Sequence, residues 1–177
     1  MFNTSSKGYW TGLGHTGLGA GSRVVDAGTG AGAIALNFGN VAGPEGEVFT
    51  YEIREDFAEV ARKNIERFGI TNITVKNQNI KDGIDEDNID LVFLDLPKPF
   101  EIFEDVLESL NVGGWLCVYA PYIDQAEISY RIAKKLGFYD IDIVEILERG
   151  LEVRTQGVRP KTRMVGHSGY LVFARKL

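Results

Sequence analysis

Apolar residues along the chain fall into short runs separated by charged stretches of helical period. The runs at 23–26 (RVVD), 47–52 (EVFTYE), 72–76 (NITVK), 90–95 (DLVFLD), 115–120 (WLCVYA), 139–147 (YDIDIVEIL) and 168–175 (SGYLVFAR) have the length and β-branched or aromatic content of strands. Between them, residues 55–68 place Phe57, Ala61, Ile65 and Phe68 on one helical face, with Gly69 as a stop. Residues 100–110 align Phe103, Val106, Leu107 and Leu110, and residues 123–136 align Ile128, Ile132 and Leu136 ahead of Gly137. Strand alternating with helix predicts an α/β fold, a Rossmann-like sheet of seven mostly parallel strands covered on both faces. The last two strands have no helix between them, so the final strand is expected to run antiparallel. Their link, "ERGLEVRTQGVRPKTRMVG" at 148–166, reads as a long polar connection, a feature more often functional than filler. A leading segment with a helix at 1–22 and one domain over 23–177 complete the expected organisation.

Composition changes this picture little. With 177 residues, 44% apolar and 25% charged, the chain suits one ordinary globular core. A formal net charge of −6 argues against nucleic-acid binding over the whole surface. It leaves room for a local patch, and 148–166 sets Arg149, Arg154, Arg159, Lys161 and Arg163 against Glu148 and Glu152. Clustered cations of this kind contact phosphates without reading sequence. The one cysteine, Cys117, excludes an internal disulfide, fits a reducing compartment and reads as a core thiol. No basic-then-apolar leader and no apolar stretch near the ~18 residues of a membrane span are evident, so a soluble, cytoplasmic protein is expected. Two histidines far apart in sequence give no metal-ligand spacing.

The chemistry gathers at strand ends. "VVDAGTGAGAIAL" leaves the first strand through Gly28, Thr29, Gly30, Ala31 and Gly32, where missing side chains let a ligand reach the backbone. The spacing also fits a dinucleotide site. Asp26 decides between the two, because an acid before the glycines attracts a cationic amino group and repels a pyrophosphate. Glu52, ending the second strand beside Ile53, suits a ribose diol, so S-adenosyl-L-methionine is the expected cofactor. Asn79 and Ile80, after the third strand, offer an amide to an adenine edge and an apolar contact to its face. Asp95 ends the fourth strand ahead of Leu96-Pro97-Lys98-Pro99, which stiffens the backbone carrying it. A fixed carboxylate there can accept a hydrogen bond from the exocyclic amine of an adenine and stabilise charge developing on its ring.

Taken together, "VVDAGTGAGAIAL", "YEIREDFAEVARKNI", "DLVFLDLPKP", "VYAPYIDQ" and "RPKTRMVGHSGYLVFAR" resemble the archaeal and bacterial tRNA (adenine-N1)-methyltransferases, over essentially the whole chain. The resemblance implies the class I S-adenosyl-L-methionine-dependent methyltransferase fold and methyl transfer to a T-loop adenine of tRNA, at position 58 or 57. It implies that Asp26 and the Gly28–Gly32 loop hold the methionine moiety and Glu52 the ribose. Asn79 stands where the family usually has aspartate. Asp95 becomes the catalytic acceptor, Tyr119 a wall of the target-base pocket and Gln125 a substrate contact, with Arg154, Arg159, Lys161 and Arg163 facing the RNA. A homotetramer is implied too, and His167, kept in the last motif, reads as structural. Two departures stand out: the family's β-rich N-terminal domain is absent, and Ser5-Ser6-Lys7-Gly8 replaces a Tyr-Pro-Lys-Asp that lines the active site. Small-molecule methylation in corrinoid biosynthesis, or a non-catalytic RNA-binding subunit, are the alternatives the residues leave open.

Overall fold

A computed structural model describes residues 14–177. The departing tetrapeptide at 5–8, and most of the helix expected within 1–22, lie outside the described residues. Within them the chain opens on a 3-10 turn, Gly14–Thr16.

Nine strands and four α-helices follow. The strands are β1 (Arg23–Ala27), β2 (Glu47–Tyr51), β3 (Ile73–Lys76), β4 (Ile89–Leu94), β5 (Leu110–Ala120), β6 (Tyr139–Glu145), β7 (Leu151–Arg154), β8 (Gly157–Pro160) and β9 (Tyr170–Arg175). The helices are α1 (Ala33–Ala42), α2 (Glu55–Phe68), α3 (Phe103–Ser109) and α4 (Ile123–Lys135). Seven strands form one sheet in the order β3-β2-β1-β4-β5-β9-β6. β1 pairs in parallel with both β2 and β4, while β9 runs antiparallel to both β5 and β6. This is the class I methyltransferase sheet, with the expected antiparallel last strand.

The inner strands are apolar runs because both of their faces are covered. Val25, Val92, Leu94, Leu116 and Val118 pack with Phe103, Val106, Ala126 and Phe138 on one side. Val24, Leu91, Phe93, Cys117 and Phe173 pack with Phe38 of α1 on the other. Cys117 is fully buried and free, and burial pushes its thiol up, as a core thiol requires. In α2, Ala58, Ala61 and Ile65 are buried, and Gly69 ends the helix in the left-handed region at φ 67°. Phe68, expected on that face, is 63% exposed, and Ile128 of α4 is likewise exposed.

Two elements differ from expectation. β5 begins at Leu110, where helix was expected to end, because Leu110 adopts extended geometry and Gly113 takes φ 86° in an irregularity opposite Ile89–Leu91. The polar connection 148–166 contains the hairpin β7–β8, paired from Leu151↔Pro160 to Arg154↔Gly157. Thr155-Gln156 make its two-residue turn, followed by Gly157 at φ 140°. Charges on both strands hid the alternation that would have marked it. Among the described residues no helix is long and apolar enough to cross a membrane.

Candidate active site

Residues at the carboxyl ends of β1, β2, β4 and β5 line one crevice. The strand order reverses between β1 and β4, with β2 and β3 laid to one side and β4 and β5 to the other, and such a switch point is where open α/β sheets bind ligands. The glycine loop crosses this point with Gly28, Gly30 and Gly32 at φ 98°, 51° and 83°. A Cβ on Gly28 would lie 2.5 Å from the Asp95 carbonyl oxygen, so only glycine lets the two strand ends close up. The Asp95 N–H donates to the Ala27 carbonyl at 2.9 Å, and the Gly28 N–H donates to Tyr51 at 3.1 Å. The Ala31 carbonyl accepts from the Asn64 side chain of α2 at 2.8 Å. Sequence spacing predicted a loop open to a ligand, and its backbone has that form.

Beneath the loop lies Asp26, 1% exposed. Register sets it opposite Thr50 of β2, whose hydroxyl donates to Asp26 Oδ2 at 2.6 Å. Thr29 and Thr50 share a hydrogen bond of 2.6 Å, which extends the chain of hydroxyls to the loop. Asp26 Oδ1 has no hydrogen-bond partner among the described residues. Burial pushes the carboxyl up to about 7; the Thr50 hydrogen bond opposes the rise, and the nearby charges of Asp95 and Glu52 add to it. A buried acid with one orphaned oxygen, facing two more acids, is an arrangement that a bound cation would relieve. This donor set fits a ligand carrying positive charge.

Glu52 is fixed by backbone donors: Gly30 N–H to Oε2 at 2.9 Å and Arg54 N–H to Oε1 at 3.0 Å. Each oxygen keeps accepting capacity, as a diol would need. Asn79 caps the 3-10 turn Ile80–Asp82 by accepting from the Lys81 N–H at 3.1 Å, so its carbonyl is in use and its amide is the group available to a ligand. Ile80, beside it, is 3% exposed and packs inside the core. The exposed apolar side chain on this flank is Ile53, at 67%.

Asp95 stands at the mouth of β4, half-buried, and burial raises its carboxyl above the usual range. It caps no helix: the next turn, Pro99–Ile102, has Lys98 at its cap, with no side-chain hydrogen bond there. Gln125 of α4 donates from Nε2 to the Pro97 carbonyl at 2.9 Å. Through this contact Gln125 braces the segment that follows Asp95. Tyr119 lies near the end of β5, its hydroxyl donating to the Ser168 carbonyl at 2.5 Å. Its ring covers Gly169, where a Cβ would come within 2.1 Å, so the ring is held in place as a wall. Both nitrogens of His167 face acceptors, Glu145 Oε1 at 2.6 Å and the Pro121 carbonyl at 3.0 Å. The Glu145 hydrogen bond, then that to Pro121, raises the imidazole's pKa, and the ring fastens β9 to the ends of β5 and β6. That is the structural role expected of it.

The basic segment is partly self-neutralised. Glu152 pairs with Arg154 of its own strand at 2.8 Å and with Arg159 across the hairpin at 2.5 Å. Lys161 lies beside Gly150, to whose carbonyl its backbone N–H donates at 2.9 Å. Among the described residues no acid pairs with Lys161, Arg163 or Arg149. Sequence reading missed Thr50, because only the β1–β2 register brings its hydroxyl to Asp26. No group of three or more His, Cys, Asp or Glu among the described residues is arranged to hold a metal ion.

The model of the tRNA methyltransferase complex GCD14 subunit family matches residues 15–159. The tRNA (adenine(57)-N(1)/adenine(58)-N(1))-methyltransferase TrmI of Methanocaldococcus jannaschii is 37% identical, over 92% of this chain and 67% of its own length. The crystal structure of tRNA (m1A58) methyltransferase TrmI from Aquifex aeolicus superposes with a TM-score of 0.87 at 31% identity, over 100% of this chain and 70% of that one. An S-adenosylmethionine-dependent O-methyltransferase from Thermotoga maritima gives 0.92 at 30% identity, over 100% and 66%. This chain thus spans about two thirds of the length of these proteins. The glycine loop over Asp26, the lone carboxylate at the mouth of β4 and a match running from the first turn into the basic hairpin lead to one assignment: the chain belongs to the GCD14 family of tRNA methyltransferase subunits.

Proposed function

We propose that this chain is the catalytic unit of an enzyme that methylates N1 of a T-loop adenine in tRNA, at position 58 or 57. The cofactor of the family and fold is S-adenosyl-L-methionine, which supplies an electrophilic methyl group on a sulfonium. Asp26 and the Gly28–Gly32 backbone would hold its methionine end, Glu52 its ribose, and Ile53 with the Asn79 amide its adenine. The observation that carries the reading is Asp95: a rigidly mounted carboxylate with no hydrogen bond to its side chain among the described residues, packed against the glycine that lines the cofactor loop.

Adenine N1 is a weak nucleophile, and methylation leaves positive charge on the ring. Accepting a hydrogen bond from the exocyclic amine, Asp95 would draw electron density toward N1 and then face the charge it helped to form. Tyr119, pinned through its hydroxyl, presents a ring against which an extruded base can stack. A T-loop adenine is stacked within folded tRNA, and Lys161, Arg163 and Arg149, paired with no acid among the described residues, suit the phosphates that steady it during extrusion. Arg154 and Arg159 would join them by exchanging Glu152 for phosphate.

Residues 23–177 act as one catalytic domain on this reading, working in the cytoplasm where tRNA is modified. Several copies would assemble together, which suits the exposed Leu151, Val153 and Val158 of the hairpin. Transcripts carrying guanosine in place of adenine 57 or adenine 58 test the assignment: methylation lost on one transcript alone names the position. Methylation of neither unaltered tRNA nor either variant would refute it.

A further inference from the structure

At the flank of the sheet two buried polar groups, Tyr51 and Glu86, meet the half-buried Lys76 and the exposed Asp85, and none of these side chains belongs to the site described above. Tyr51 ends β2 and is 2% exposed; Glu86, on the segment leading into β4, is 9% exposed. The Tyr51 hydroxyl donates to Glu86 Oε2 at 2.5 Å and accepts from the Asp85 N–H at 3.3 Å and from Lys76 Nζ at 3.2 Å. Lys76, the last residue of β3, also pairs with Glu86 and, at 2.9 Å, with Asp85. Burial alone would depress the Lys76 ammonium, yet hydrogen bonds to Glu86, Asp85 and Tyr51 outweigh it and hold Lys76 charged. Burial, then the Glu86 hydrogen bond, keeps the Tyr51 phenol neutral.

Desolvating a lysine and a glutamate is costly, and apolar residues of equal volume often serve stability as well or better. The cluster's position suggests what it gives in return. Lys76 and Asp85–Glu86 are the two ends of the loop 77–84, so their contact closes it. Inside that loop the Asn77 amide donates to the Glu52 carbonyl at 2.8 Å, and Asn79 and Ile80 follow. Tyr51 joins this closure to the glycine loop: its hydroxyl sits in the cluster while its carbonyl accepts from the Gly28 and Thr29 N–H groups at 3.1 and 3.4 Å.

We infer that Lys76, Glu86 and Tyr51 form a clasp that positions the adenosine end of the cofactor site, holding Glu52, Asn79 and the Gly28–Thr29 backbone in their binding geometry before the cofactor arrives. They are positioning residues, acting through the groups that touch ligand. The inference rests on the reading of this crevice as the S-adenosyl-L-methionine site.

Calorimetric titration with S-adenosylhomocysteine, which carries the adenosine without the transferable methyl, tests it in the full chain. Tyr51→Phe removes one hydroxyl with little change of volume, and Glu86→Gln removes one charge. Each is expected to weaken binding roughly tenfold, the worth of one hydrogen bond to a charged group. Lys76→Met should do the same and Lys76→Arg should restore much of the loss. Binding of unmodified tRNA, measured by gel shift, should stay within twofold of the parent (on the order of measurement error) in Tyr51→Phe. Arg131→Ala, which breaks the Arg131–Glu127 pair on α4, is the control and should leave S-adenosylhomocysteine affinity unchanged.

Parental affinity in Tyr51→Phe and Glu86→Gln, even with a lowered melting temperature, would overturn the inference and leave the cluster as scaffold. Should Glu86→Gln not fold, Tyr51→Phe and the Lys76 pair decide alone. Absence of binding by the parent itself would instead overturn the reading of the crevice.

Discussion

Cofactor affinity should depend on pH through Asp26. This carboxyl is sealed under the glycine loop with one oxygen unpartnered, and it titrates at about 7. A cation bound over Asp26, Glu52 and Asp95 favours the ionised form, by direct contact or through its field. Binding must therefore expel a proton wherever Asp26 is still protonated. With a free-protein pKa of about 7, about one molecule in eleven is ionised at pH 6 and about ten in eleven at pH 8. The dissociation constant for S-adenosylhomocysteine, whose amino group stays charged throughout, is then expected to be roughly tenfold weaker at pH 6 than at pH 8. That ratio corresponds to about 1.4 kcal/mol. Calorimetry at pH 7 in buffers of different ionisation enthalpy counts the protons directly, and about half a proton should leave per molecule bound. In Asp26→Asn the proton release should vanish and the affinity should become flat over this range. A flat profile in the parent, with no proton released, would refute the argument that the crevice is built around a cation.

Other perturbations follow from the same geometry. Because the folded protein raises Asp26 above its unfolded value, protonation of this group favours the native state: its contribution to stability is full below about pH 4, falls as pH rises toward 7 and levels off beyond. Asp26→Asn should therefore melt higher than the parent at pH 8, by differential scanning calorimetry, with the gap closing in acid. Gly28→Ala would put a Cβ 2.5 Å from the Asp95 carbonyl at φ 98°, and should cost on the order of 1–3 kcal/mol of strain in unfolding by urea, together with loss of cofactor binding. Replacing Lys161 and Arg163 with alanine should reduce the slope of log K against log salt for tRNA binding by roughly one per lost phosphate contact, and leave cofactor binding unchanged.

The fold was legible because the parallel strands are buried on both faces: "RVVD", "DLVFLD" and "WLCVYA" announce themselves as continuous apolar runs whatever their neighbours. Helix α2 was legible to the residue, its stripe of Ala61 and Ile65 closed by Gly69. The hairpin β7–β8 was not, since its strands are exposed on every residue but Glu152 and interleave charges with exposed apolar side chains. At the site, residues fixed by strand ends could be read: Asp26, Glu52 and Asp95 all fall where a strand stops, and the sheet order brings those ends together. Residues fixed by register could not. Thr50 reaches Asp26, and Lys76 reaches Glu86, only through pairings that no local pattern encodes. Gln125 shows a third case: the helix places its amide on the Pro97 carbonyl, a contact that only the packed structure reveals.

The central claim is that Asp95 directs methyl transfer to adenine N1, and one experiment meets it most directly. The parent and Asp95→Asn are incubated with unmodified tRNA transcript and methyl-labelled S-adenosyl-L-methionine, and the tRNA is digested to nucleosides. The account predicts label in 1-methyladenosine for the parent. It predicts a rate lower by roughly 10²–10³-fold in Asp95→Asn, with S-adenosylhomocysteine still bound. Label in another nucleoside, or an undiminished rate in the variant, would contradict it.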